Sequence, residues 1–200
     1  MIKTEQYRYC FCGLELGTIN KNLDLEYQIY VLGDKEFMIF QSDSTISLEH
    51  LAFKLGIEFT TLQQKLAERI FMKSPFPKSS HKKFLSHTVN PANRIVQTLK
   101  LKNNVKLIKE YKNAHRPENV SKQILFNMDK IGILDMELYV KHFQAYLIMD
   151  IPYEFYLEEA YRKWELLPME KEWQSRMARY QDISSDDGLI AKWKVMPRII

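Results

Sequence analysis

The stretch NRIVQTLKLKNNVKLIKEYKN, residues 93–113, decides the fold class that the sequence predicts for the second half of this chain. Its apolar residues recur at helical spacing among six Lys or Arg residues, with a break at Asn103 and Asn104. Such a pattern is typical of helices that bury one apolar face. The apolar positions are Ile95, Val96, Leu99, Val105, Leu107 and Ile108.

Further segments toward the C-terminus show the same helical pattern. The segments VSKQILFNMDKIG, LDMELYVKHFQAYLIM and YEFYLEEAYRKWELL are separated at Gly132 and Pro152, and glycine and proline are residues at which helices end. In MEKEWQSRMARYQ, the apolar residues from Met169 to Tyr180 are spaced as one helix face requires. We therefore predict an irregular helical bundle that occupies a domain of residues 93–200.

The first part of the chain has the alternation of β-strands. In EYQIYVLGDKEFMIFQ, two runs rich in Tyr, Ile, Val and Phe flank a turn at Gly33, which is a hairpin signal. An earlier run, YRYCFCGLEL from Tyr7, supplies a third strand. We predict an α+β protein with a small N-terminal antiparallel sheet over about residues 5–42. The N-terminal domain covers residues 1–72, and a basic linker covers residues 73–92.

Two short amphipathic runs meet at a single glycine in ISLEHLAFKLGIEFTTLQQKL, residues 46–66. Ser47 is placed as an N-cap, and Gly56 suits the left-handed conformation in which a helix ends. The sequence therefore predicts a helix, a tight turn at Gly56 and a second helix.

This helix pair resembles the helix-turn-helix of bacterial and phage DNA-binding proteins over roughly residues 47–68. The positions that match the family pattern in residue type and spacing are Ala52, Gly56, Ile57 and Leu62. The resemblance implies that the second helix enters the major groove of DNA. The residues that would then contact DNA are Thr60, Thr61, Gln63 and Gln64. The alternative is that the two helices only pack against each other.

Positive charge is concentrated in the middle of the chain. Residues 73–125 hold twelve Lys or Arg residues against two Asp or Glu residues, which indicates a polyanionic partner. The lysines predicted to hold phosphate groups are Lys73, Lys78, Lys82 and Lys83. A solvated linker followed by a Lys-rich helix face is the alternative interpretation.

Known catalytic and metal-binding signatures are not found in the sequence. Cys10 and Cys12 lack the second pair that a zinc site of four ligands needs, and the five histidines show no metal-ligand spacing to one another. Neither a glycine-rich phosphate loop nor a nucleophile elbow occurs. We predict no metal and no cofactor, and the sequence leaves enzymatic activity open.

Taken together, these patterns predict a DNA-binding protein of regulatory or mobile-element accessory kind. The alternative is a non-catalytic adaptor or assembly subunit that works through protein contacts, which the aromatic content also suits. No apolar run approaches the roughly 20 residues that cross a bilayer. Because the two cysteines are expected to stay reduced, we expect a cytoplasmic location.

Overall fold

In the computed structural model, the chain divides into two compact units, each built on its own β-sheet. The structure describes residues 2–14, 25–73, 85–90, 93–183 and 188–200. The C-terminal unit comprises Arg69–Phe76 and Val89–Val195. The N-terminal unit comprises Ile2–Glu68, Pro77–Thr88 and Met196–Ile200.

Short strands and short helices follow one another along the described residues. The strands are β1 (Ile2–Cys12), β2 (Glu26–Leu32), β3 (Lys35–Ser42), β4 (Glu68–Met72), β5 (Leu85–Asn90), β6 (Asn93–Lys100), β7 (Asp135–Lys141), β8 (Gln144–Ile151) and β9 (Lys194–Val195). The helices are α1 (Leu48–Leu55), α2 (Phe59–Lys65), α3 (Val105–Ala114), α4 (Lys122–Lys130), α5 (Leu157–Glu165), α6 (Glu170–Ala178) and α7 (Leu189–Lys192). None of these described helices has the length and apolarity that a membrane span requires.

Five strands form the sheet of the C-terminal unit, in the order β4-β7-β8-β6-β9. The pairs β6–β8, β7–β8 and β6–β9 are antiparallel. Helices α3 and α4 connect β6 to β7, and α5, α6 and α7 connect β8 to β9. This order of connections is that of the split βαβ fold, with β4 added at one edge. The C-terminal unit is therefore a sheet covered by helices.

The predicted helical bundle over residues 93–200 is wrong, and strand β6 shows why. The segment NRIVQTLK is a strand, and helix α3 begins only after the two asparagines. Val96 and Thr98 are 0% and 2% exposed on one face, and Gln97 and Leu99 are 0% and 2% exposed on the other. A strand that is buried on both faces lacks the apolar–polar alternation that distinguishes it from a helix.

The stretch LDMELYVKHFQAYLIM, also predicted as helix, forms the hairpin of β7 and β8. Lys141 pairs with Gln144, so the loop consists of His142 and Phe143 alone. Hairpin loops of this length require residues with positive φ, which Asn and Gly usually provide. Here His142 adopts φ 51°. The turn therefore contains neither Asn nor Gly. Without that signal, the two apolar strands were interpreted as one helix.

The hydrophobic core of the C-terminal unit lies between one face of the sheet and the helices. Leu138, Leu147 and Met149 from the β7–β8 hairpin belong to the same buried cluster as Tyr161 and Trp164 from α5. Alternate residues of a strand share one face, which explains why these hairpin residues point toward the helices together. This layer between sheet and helices also contains the cavity described below.

The N-terminal unit has a four-stranded sheet in the order β2-β3-β1-β5. Helices α1 and α2 contribute to its hydrophobic core. The Ser47 hydroxyl accepts a hydrogen bond from the His50 backbone N–H at 3.1 Å, and Gly56 adopts φ 69°. Helix α1 thus begins and ends at the residues that the capping signals indicate. The C-terminal residues pair with β2, where the Val31 N–H donates to the Pro197 carbonyl at 3.0 Å.

Candidate active site

The residues predicted to read DNA lie at helix α2 and are exposed. They are Thr60, Thr61, Gln63 and Gln64. The Thr60 hydroxyl donates a hydrogen bond to one carboxylate oxygen of Glu58, and the Thr61 hydroxyl donates to the other at 3.4 Å. Glu58 therefore places a negative charge on this surface, which repels phosphate rather than attracting it.

Lys73, predicted to hold phosphate, contacts groups of the C-terminal unit. Its Nζ lies 2.6 Å from the Asp129 carboxylate and donates to the Ile133 carbonyl. Its side chain is only 10% exposed. The other predicted phosphate contacts, Lys78, Lys82 and Lys83, lie outside the described residues. A nucleic-acid contact by any of these lysines stays a prediction.

The C-terminal unit contains a cavity of about 60 Å³ between its sheet and its helices. One water needs about 10–15 Å³ on this measure, so the cavity has space for roughly four to six waters. Apolar and aromatic walls with a few polar groups are typical of small-molecule sites. The sheet contributes Met136, Leu138 and Leu147, and the helices contribute His115, Trp164 and Trp173.

Helix α3 positions His115 in the cavity wall. The residue lies directly after the helix as its C-cap, one turn beyond Tyr111. Its Nδ1 is 2.9 Å from the Tyr111 backbone carbonyl oxygen. Because a carbonyl oxygen only accepts hydrogen bonds, Nδ1 carries the ring proton. In the neutral ring, Nε2 is then the nitrogen that can accept a proton from a ligand.

Aromatic rings surround this imidazole and keep it uncharged. The ring centroids of Tyr111, Trp173 and Phe71 lie 4.4, 5.3 and 6.4 Å from that of His115. Burial lowers the pKa of His115 to about 4, against the hydrogen bond to Tyr111, and the nearby charge of Arg176 lowers it further. At neutral pH the imidazole is therefore an uncharged base.

A second polar pair fixes the wall of the cavity near β6. Gln97 is 0% exposed, and its side-chain oxygen accepts a hydrogen bond from the Tyr161 hydroxyl. The Gln97 amide donates to the Trp193 carbonyl at 3.2 Å. Burial raises the pKa of Tyr161, so the phenol stays protonated at neutral pH. Tyr161 and Trp193 both line the cavity, and Gln97 holds them in place.

Glu170, the first residue of α6, brings a carboxyl group directly behind the cavity wall. It is 0% exposed, and its Oε1 accepts a hydrogen bond from the Asn127 amide at 2.9 Å. Burial raises the pKa of Glu170, while side-chain hydrogen bonding by Asn127, Trp164 and Gln174 acts against that rise. Trp164 and Gln174 line the cavity. The Glu170 carboxyl group therefore lies next to two residues of the cavity wall and is not itself part of that wall.

Metal-ligating side chains are not clustered in the part of the chain that the structure describes, where no three His, Cys, Asp or Glu residues form such a group. Cys10 and Cys12 lie in β1 as thiols. The side chains around the cavity offer proton transfer and hydrogen bonding.

Sequence reasoning missed His115 because the histidines were compared only with one another. A different signal was present. Tyr111 and His115 lie four residues apart at the end of an amphipathic helix, so they share one face. The buried face of α3 contains Ile108, Tyr111 and Ala114. A histidine placed on that face at a helix end indicates a buried imidazole, whatever its distance from other histidines.

The residues that match a known protein family lie in the same part of the chain as most of the residues that line the cavity. A family model described as L-rhamnose mutarotase matches residues 94–199, just over half of the chain. The match includes the cavity residues His115, Trp164 and Trp173 and the buried Glu170. No match was found among curated proteins.

This match corrects the identification and the function that the sequence patterns predicted. The match is to an enzyme family, so the interpretation as a helix-turn-helix DNA-binding regulator is wrong, and so is the adaptor alternative. The helix pair around Gly56 lies outside the matched residues, and Leu66 and Ala67, directly after it, pair with β1. Two short helices joined by a glycine are a common packing solution. The chain belongs to the L-rhamnose mutarotase family.

Proposed function

We propose that the cavity of the C-terminal unit interconverts the α and β anomers of L-rhamnose or of a closely related 6-deoxyhexose. The observation that carries this proposal is the neutral, buried His115 with its Nδ1 proton fixed on the Tyr111 carbonyl. The family match supports the substrate class. A cytoplasmic location is part of the proposal, because Cys10 and Cys12 as thiols suit a reducing compartment.

Mutarotation depends on proton transfer at two oxygen atoms of the sugar, the anomeric hydroxyl and the ring oxygen. The base takes the proton of the anomeric hydroxyl, the bond between C1 and the ring oxygen breaks, and its electron pair goes to the ring oxygen. The ring oxygen takes one proton from solvent, which gives the open-chain aldehyde. After rotation about the C1–C2 bond, the same oxygen attacks the other face of the carbonyl, and the protons return.

In this scheme, Nε2 of His115 accepts and later returns the anomeric proton. A neutral base with its tautomer already fixed needs no rearrangement before it acts. The indoles of Trp164 and Trp173 offer flat apolar surfaces to the methyl group and C–H faces of a 6-deoxy sugar.

The test is magnetization-exchange NMR between the anomeric proton signals of L-rhamnose. The wild-type protein should raise the exchange rate in proportion to its concentration. His115→Asn should lower that catalysed rate by about 10²- to 10⁴-fold, the usual contribution of a general base. Other 6-deoxyhexoses and hexoses tested in the same way would define the substrate range.

The matched control is His142→Asn. His142 is exposed in the β7–β8 turn with positive φ, a conformation that Asn tolerates. This variant should keep the wild-type rate. A wild-type protein that leaves the exchange rate at its buffer value for every sugar, or a folded His115→Asn variant with full activity, would contradict the proposal.

A further inference from the structure

Gln174 is a polar residue of the cavity wall that the proposed mechanism does not use. The described residues that line the cavity are mostly apolar or aromatic, and Gln174 is the one among them with an amide side chain. It is half-buried, whereas Gln97 and Asn127 are 0% exposed and do not line the cavity. In a wall of this kind, the few polar groups orient the ligand and decide which ligand binds.

Helix α6 holds Gln174 in a fixed place beside the proposed base. The first residue of the helix, Glu170, accepts a hydrogen bond from the Asn127 amide at 2.9 Å. Trp173, the residue before Gln174, packs edge to face on His115, and their ring centroids are 5.3 Å apart. A helix that is held at both of these points positions Gln174 before any ligand binds, which lowers the free-energy cost of binding.

Glu170 fixes which end of the Gln174 amide is left for a ligand. Gln174 lies four residues after Glu170, so the two side chains share one face of α6. Hydrogen bonding by the Gln174 side chain lowers the pKa of the Glu170 carboxyl group. An amide lowers this pKa by donating from its NH₂ group, because the carboxylate only accepts. The NH₂ group of Gln174 therefore faces Glu170, and its carbonyl oxygen, Oε1, is directed away from the carboxylate.

This arrangement makes Oε1 of Gln174 an acceptor at the cavity wall. Among the described residues, the Gln174 side chain has no hydrogen-bond partner besides Glu170. A hydroxyl group matches such an oxygen, since it can donate its proton. His115 already takes the anomeric hydroxyl in the proposed mechanism, so another hydroxyl must be the donor. We propose that Gln174 is a specificity-determining residue, whose Oε1 accepts a hydrogen bond from one non-anomeric hydroxyl of the bound sugar.

An acceptor at one fixed point distinguishes sugars that apolar walls bind alike. A sugar with a hydroxyl at the matching carbon satisfies Oε1 of Gln174. A sugar that lacks this hydroxyl leaves the oxygen without a partner and with less access to water, which weakens binding. This assignment rests on the proposed function, because the sugar that carries the hydroxyl is the proposed substrate.

The experiment measures, by NMR titration, the dissociation constants of L-rhamnose and of its derivatives that lack the hydroxyl at C2, C3 or C4. Gln174→Met keeps an unbranched side chain of similar length and removes the acceptor. It should bind L-rhamnose roughly 3- to 10-fold more weakly than the wild type, the usual range for a neutral hydrogen bond. One derivative, which lacks the hydroxyl bound by Gln174, should bind both proteins equally well, while the other two keep the difference.

Two further variants separate the acceptor from other effects of the substitution. Gln174→Glu keeps an acceptor oxygen whether or not its carboxyl group is protonated, so it should retain the preference for L-rhamnose over that derivative, which Gln174→Met loses. Gln63→Met makes the same change as Gln174→Met at an exposed position of α2 and should change no dissociation constant.

The outcomes distinguish this assignment from the proposed function. If Gln174→Met weakens every derivative equally, or none, Gln174 does not select a hydroxyl, and mutarotation by the wild type would stand. The same conclusion follows if Gln174→Glu loses the preference as completely as Gln174→Met does. If the wild type neither binds nor interconverts any sugar, the proposed function and the role of Gln174 fail together.

Discussion

The two units of this chain fill the space between sheet and helices in different ways. In the N-terminal unit, the buried cluster is built from aliphatic and aromatic side chains such as Phe40, Leu51 and Leu62. Tyr9, in the same cluster, donates its hydroxyl proton to the Ile46 carbonyl at 2.6 Å. In the C-terminal unit, the corresponding layer contains polar and titratable side chains with very little exposure. They are Gln97, His115, Asn127 and Glu170.

This difference supports the C-terminal unit as the location of the proposed active site. An apolar layer lowers the free energy of the folded state without any further requirement. Burying an imidazole, two amides and a carboxyl group raises that free energy unless each finds a partner. Such groups are retained where a ligand or a reaction uses them. One of these groups, His115, lines the cavity, which supports the proposed active site in the C-terminal unit.

The largest predicted effect is on stability in the N-terminal unit. Phe40 is 1% exposed, so Phe40→Ala should lower the free energy of unfolding by about 3–5 kcal/mol. Because Phe40 does not line the cavity, the mutarotation rate per folded molecule should not change. Urea unfolding and exchange NMR on the same samples measure the two quantities.

Leu147→Ala is the counterpart that makes this comparison decisive. Leu147 is also buried, at 5% exposure, but it lines the cavity. Its truncation should cost about 2–5 kcal/mol and also lower the mutarotation rate. If Phe40→Ala reduces the rate per folded molecule as much as Leu147→Ala does, the separation of roles between the two interiors is incorrect.

The next effect concerns acid stability and comes from His115. Its pKa is about 4 in the folded protein and about 6.5 in an unfolded chain. Between these values the unfolded chain binds the proton more readily, so stability is complete above pH about 6.5 and is lost as the pH falls toward 4. Between pH 7 and pH 4.5 the loss from this residue should be roughly 2–3 kcal/mol.

His115→Asn removes the titrating ring and isolates its contribution. Urea unfolding of the wild type and the variant at both pH values should show the smaller loss for the variant, since the carboxylates contribute to both. In the wild type, the mutarotation rate should also fall as the pH drops through about 4, because the protonated ring is no base. Equal pH dependence of unfolding in the two proteins would mean that His115 is not buried as a neutral group.

Local signals in the sequence located the elements that turn residues define. The hairpin at Gly33, the cap at Ser47 and the turn at Gly56 all depend on a few neighbouring residues. Strand β6 and the β7–β8 hairpin could not be recognised in the same way. Their burial on both faces comes from tertiary packing, and the positive φ of His142 has no usual marker.

The candidate site was harder to predict than the fold, because its groups are far apart in sequence. His115 follows α3, Trp164 lies in α5 and Glu170 begins α6. Only the split βαβ connections bring these helices onto one face of the sheet. The helix pair around Gly56, by contrast, is contiguous in sequence, which explains why its pattern was recognised first although the family match lies elsewhere.

The smallest predicted effect tests whether the Gly56 turn has a purely structural role. Gly56 adopts φ 69°, and an added Cβ would meet no atom within 4 Å. The cost of Gly56→Val is therefore backbone strain alone, about 1–3 kcal/mol of the free energy of unfolding. Gly56→Asn should cost less, because asparagine tolerates the left-handed conformation. Both variants should keep the wild-type mutarotation rate per folded molecule, measured by exchange NMR below their melting temperatures. A loss of rate in Gly56→Val that Gly56→Asn does not share would show that this turn contributes to catalysis as well as to folding.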